Sequence, residues 1–75
     1  MEANFNTIKD FVEKRIKDAE KYANSYQEVM NTRAIAFGAI LFSDKCGIAP
    51  FEEIQEYWEG YAWNKFEEIA KSKRR

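Results

Sequence analysis

Asn24-Ser25-Tyr26-Gln27-Glu28 interrupts an apolar pattern that otherwise keeps its phase from Phe5 to Leu41. Around it Phe5, Ile8, Phe11, Val12, Ile16, Ala19, Tyr22, Ala23, Tyr26, Val29, Met30, Phe37, Ile40 and Leu41 recur at helical spacing, inside one stripe roughly 140° wide at about 100° per residue. Such a pattern fits one helix over residues 5–44, roughly 60 Å long, or two helices divided at this stretch. Ser25 with Glu28 three residues later forms a capping-box pattern, a helix-start signal, while Asn31-Thr32 is only a pair of weak helix formers. A continuous helix would need a second chain to cover its first half. A break near residue 24 closes the chain on itself, so the expected fold is an all-α three-helix bundle with helices near 5–23, 26–45 and 50–72. The alternative is one long helix plus a shorter one in a helical hairpin that dimerises.

The second punctuation mark is Lys45-Cys46-Gly47-Ile48-Ala49-Pro50. Gly47 suits the left-handed position after a helix, Ile48 the hydrophobic contact that accompanies it, and Pro50 the first turn of the next helix. Glu52 and Glu53 then open the last helix and Lys71 and Lys73 close it, matching the helix dipole. No β-branched run alternates at period two, and no linker or repeat divides the chain. Residues 1–75 therefore read as one helical domain with a short basic C-terminal tail, 71–75.

Composition narrows the function. The chain has 75 residues, is 45% hydrophobic and 33% charged, and carries a formal net charge of −1. It is too apolar for intrinsic disorder. Its longest apolar run, Ala34 to Phe42, is too short to span a bilayer, so no membrane association is expected. There is no His and a single cysteine, Cys46, which removes the commonest general base and metal ligand and leaves no internal disulfide. Cys46 lies near a helix C-terminus, where the dipole opposes a thiolate. Neither an enzyme nor a cofactor nor a metal site is expected. Met1-Glu2-Ala3-Asn4 lacks the basic start of a secretory signal, and together with the unpaired thiol predicts a cytoplasmic protein.

Two features stand out as candidate binding surfaces. Ala34-Ile35-Ala36-Phe37-Gly38-Ala39-Ile40-Leu41-Phe42 is apolar around the whole helix, whereas a helix of a small bundle needs one apolar face. Ile35, Gly38, Ala39 and Phe42 make up the extra face, opposite Phe37 and Leu41. It is either additional core or a self-association surface, and a domain this short often gains stability by pairing. In the last helix the stripe reads Phe51, Ile54, Trp58, Tyr61, Ala62, Phe66 and Ile69. Trp63 projects about 150° from it on a regular helix, between Glu59 and Glu67, and reads as an anchor for a protein partner.

Charge offers a rival. Residues 51–70 carry Glu52, Glu53, Glu56, Glu59, Glu67 and Glu68 against Lys65, and Lys71, Lys73, Arg74 and Arg75 follow. The row Glu52, Glu56, Glu59 and Glu67 reads as a solvated face or a surface for a basic partner. The terminal bases suit nucleic-acid phosphates, but the adjoining acidic helix repels them. The expected function is a non-catalytic helical interaction or regulatory module, a homodimer or higher assembly. The alternative is a nucleic-acid-associated accessory protein using the tail.

Overall fold

A computed structural model describes residues 4–73; Arg74 and Arg75 of the basic tail lie outside the described residues. The chain is a three-helix bundle. Helix α1 spans Phe5–Tyr22 and is capped by the Asn4 side chain, whose Oδ1 accepts from the Thr7 amide at 3.0 Å. Helix α2 spans Tyr26–Lys45. The division falls where the capping box lies: Ala23 is extended, Ser25 Oγ accepts from the Glu28 amide at 3.2 Å, and the Glu28 carboxylate accepts from the Asn24 amide. The long-helix alternative is not what forms.

The α2 C-terminus closes as a Schellman motif. Gly47 has φ +64°, its amide donates to the Asp44 carbonyl at 3.2 Å, and the Ile48 amide donates to the Ser43 carbonyl at 3.0 Å. Pro50 caps the next helix from outside instead of occupying its first turn.

The third helix departs from the regular element expected over 50–72. It consists of α3, Phe51–Tyr57, a π-helical turn, Trp58–Ala62, and α4, Trp63–Lys73. A π turn takes one residue more than an α turn, so the apolar stripe resumes one residue late. The buried residues are Ile54, Trp58, Ala62, Phe66, Ile69 and Ala70, while Phe51 and Tyr61, both expected in the stripe, are exposed.

The core joins this series to Phe5, Ile8, Val12, Ile16 and Ala19 of α1 and to Val29, Ala36 and Ile40 of α2. Phe66 is fully buried at its centre. Ser43 is the one buried polar side chain among the described residues, its hydroxyl donating to the Ala39 carbonyl at 3.0 Å. Phe11, Tyr22, Tyr26, Phe37 and Leu41 were also expected on the buried stripe and are instead exposed. One side of each helix is enough for a bundle of this size, and the narrower line of Val12, Ile16, Val29, Ala36 and Ile40 fills it. No helix among the described residues is long and apolar enough to cross a membrane.

Candidate functional site

Helix α2 turns Val29, Ala36, Ile40 and Ser43 to the core. At about 100° per residue, the arc directly opposite carries Ala34, Ile35, Phe37, Gly38, Leu41 and Phe42, every one apolar and every one exposed. The extra face is therefore not additional core. Ala39 is the exception: it is half-buried and packs against the core, so it leaves the surface to which its spacing assigned it. Phe51, freed by its place at the start of α3, takes its place beside Leu41, and the two share a shallow cleft of about 210 Å³ with Phe37.

Gly38 lies at the middle of this arc. A side chain added there would meet nothing within 4 Å, so no neighbour in the chain requires a glycine. Glycine inside a helix costs about 0.5–1 kcal/mol relative to alanine, and packing within the bundle does not recover that cost.

Trp63 is where the expectation from a regular helix fails most clearly. The π turn sets it above Trp58, with ring centroids 6.3 Å apart at 73°, instead of far from the stripe. Arg33 of α2 lies over its ring at 4.0 Å and pairs with Glu67 at 2.9 Å, fastening α2 to α4. Glu67 is thus taken out of the proposed carboxylate row, and Glu59 accepts from Gln55 Nε2 at 3.0 Å. Phe37, Trp58, Glu59 and Trp63 line a cleft of about 430 Å³ on this side of the molecule. A sequence signal for the slip exists: Ile54, Trp58, Ala62, Phe66 and Ala70 are spaced strictly by four, which drifts about 40° per step on an α-helix unless one wide turn absorbs it.

On the opposite side, Lys9, Glu53, Glu56, Tyr57, Gly60 and Tyr61 line a polar cleft of about 460 Å³. The Tyr57 hydroxyl is 3.4 Å from both the Lys9 carbonyl and Glu13 Oε1. Burial first, and then the Glu13 charge, raise the Tyr57 phenol well above its ordinary value. Tyr61 is also raised, chiefly by its hydrogen bond to Glu13. A raised phenol favours the neutral form in the folded state. Its contribution is complete below the ordinary value of 10.0 and is lost as pH climbs from there towards the folded value. Urea unfolding at pH 8 and 11 should show stability falling by at most about 1 kcal/mol from Tyr57, after allowing for solvent screening, with Tyr57→Phe removing that share. An unchanged pH dependence in Tyr57→Phe would refute it.

Of the basic tail, Lys71 is exposed and Lys73 donates to the Glu20 carbonyl at 3.0 Å, near the end of α1. Among the described residues no group of three or more acidic or thiol side chains is placed to hold a metal ion. No protein-family model, curated protein or solved structure matches the chain.

Proposed function

We propose that this protein is a non-catalytic interaction module that pairs with a second copy of itself through the outer face of α2. The observation that carries this is the unbroken apolar arc of Ala34, Ile35, Gly38, Leu41 and Phe42, directly opposite the core. Its size supports a second copy. Ile35, Leu41, Phe42 and Phe51 are 54%, 48%, 53% and 61% exposed. With Ala34 and Gly38 between them, they offer about 400–500 Å² of apolar surface per copy. A standard interface buries about 800 Å² per partner, and in homodimers about 65% of it is apolar, or about 520 Å². Residues 34–42 carry no charge, and the charged groups, Asp44 and Glu59 beside the Phe51 cleft and Lys45 in the last turn of α2, stand at the margin, as in an interface with an apolar centre and a polar rim. Gly38 at its middle lets the second backbone approach closely.

Sedimentation equilibrium over a wide concentration range, under reducing conditions, tests the proposal. A mass that rises to twice that of the chain supports it, and a monomer at all concentrations overturns it. Gly38→Ala separates the two roles of the glycine. At dilute concentration the variant should be more stable than the parent by about 0.5–1 kcal/mol, because helix propensity improves and nothing clashes. Its association should be weaker, because the added methyl holds the two helices apart. Equal or tighter association would show that the partner backbone does not pass over Gly38.

A further inference from the structure

We propose that the cleft between Phe37 and Trp63 binds a methylated ammonium group, at the margin of the outer face of α2, which it adjoins through Phe37. The cleft, about 430 Å³, is lined by three aromatic side chains and a single charged one, Glu59. Trp58 is buried and forms its floor, and Phe37 and Trp63, each 40% exposed, form its walls. The Phe37 and Trp58 rings are 5.3 Å apart at 35°, and the Trp58 and Trp63 rings meet nearly edge to face. The three rings touch in series, Phe37 on Trp58 and Trp58 on Trp63, and together make a continuous aromatic lining whose uncovered faces are open to a guest. A cation is drawn to such faces by the ring quadrupole, and its methyl groups gain from leaving water.

The charge of the site has the matching sign. Glu59 supplies a carboxylate at the rim, and no basic side chain lines the cleft. Glu53 and Glu56 belong to the cleft on the opposite side with Lys9, so Glu59 is the carboxylate that acts on a guest here. That Trp63 accepts a cation is visible already, since the Arg33 guanidinium rests on its ring at 4.0 Å. Arg33 is paired with Glu67 and lines the adjoining cleft with Met30 and Ala34, outside the cleft that Glu59 lines. Methylation matters because a bare ammonium is strongly hydrated and gives up more on entering an aromatic slot. The chemistry is shared by trimethyl-lysine side chains and choline headgroups.

Tryptophan fluorescence of the intact chain, titrated at constant ionic strength, tests the proposal. The probes are choline, its neutral isostere 3,3-dimethylbutanol, phosphocholine, and a short peptide bearing trimethylated or unmodified lysine. Saturable binding is expected for choline and for the trimethylated peptide, about tenfold tighter than for the neutral isostere and the unmodified peptide. Trp63→Leu should abolish it. Glu59→Gln, an exposed and conservative change, should weaken it about threefold to fivefold with the fold intact. Tighter binding of the peptide than of phosphocholine assigns a protein as the source, and the reverse assigns a choline compound; both support the site. Equal affinity for choline and 3,3-dimethylbutanol would make the cleft a plain apolar slot and overturn the proposal. So would binding that survives both substitutions, or no saturation by any probe.

Discussion

Phe42→Glu is expected to turn the associated protein into a folded monomer, raising the dissociation constant about a thousandfold, or about 4 kcal/mol. In a symmetric pair every substitution counts twice. Two Phe42 rings that are 53% exposed in the single copy would each forgo roughly 1 kcal/mol of burial. Two carboxylates would have to leave water on an apolar face whose nearest cation along α2, Lys45, stands exposed in the last turn. Within one copy the same change is mild. Phe42 points away from the core and Glu is a better helix former, so the urea midpoint should move by no more than about 1 kcal/mol. Circular dichroism checks the fold and sedimentation equilibrium the mass. Phe11→Glu is the control, since Phe11 is an exposed aromatic on α1, stacked under Arg15 and away from the crest; it should leave the mass unchanged. A folded Phe42→Glu variant that keeps the parent mass would remove α2 as the interface.

The parts of this fold that could be read from the sequence are those set by local chemistry. Ser25 with Glu28 and Gly47 with Ile48 each satisfy backbone groups within a few residues of themselves, so their meaning does not depend on what packs nearby. Both helix boundaries of α2 follow from them. Burial is different, because it depends on which side of a helix the other two happen to cover. Phe37 and Leu41 fit the apolar period as well as Ile40 does, yet α2 is covered only along Val29, Ala36 and Ile40. Periodicity names the residues able to be buried, and only the packing of α1 and α4 selects among them.

This explains why the crest of α2 was only half legible. Its apolar character was plain, and so were Ile35, Gly38 and Phe42 as members. Ala39, although assigned to the same face, has a side chain small enough to tuck against the core. Leu41 and Phe51, assigned to the interior, are exposed because the bundle has no more room for them. Beside Phe66 and Trp58 the interior is closed by small residues, Ala19, Ala36, Ala62 and Ala70, which bring the three helices close and leave no space for Leu41 and Phe51. Large apolar side chains left on the α2 surface fit the proposed pairing, in which a second copy would bury them.

Deleting Gly60 should leave the protein folded with stability within about 1 kcal/mol of the parent, whereas deleting Lys14 should cost about 3–5 kcal/mol. Each deletion removes one exposed residue from a helix. In α1, a regular helix, the loss rotates everything on one side by about 100°. Phe5, Ile8 and Val12 are then out of phase with Ile16 and Ala19, and realigning one set exposes the other. Losing that burial costs about 3–5 kcal/mol, against a total of roughly 4–11 kcal/mol for a chain of this length. Gly60 lies in the π turn, which already holds one residue more than an α-helix needs. Its removal lets Trp58–Ala62 relax to α geometry while Ile54 and Trp58 below and Phe66 and Ile69 above keep their buried positions. Gly60 has no side chain to lose, and the side-chain hydrogen bond its carbonyl accepts, from exposed Asn64 Nδ2 at 3.4 Å, is long. Urea unfolding of the two deletion variants checks the pair of outcomes. If the Gly60 deletion loses as much stability as the Lys14 deletion, the third helix is regular through residues 58–62, and the stacking of Trp63 on Trp58 falls with it.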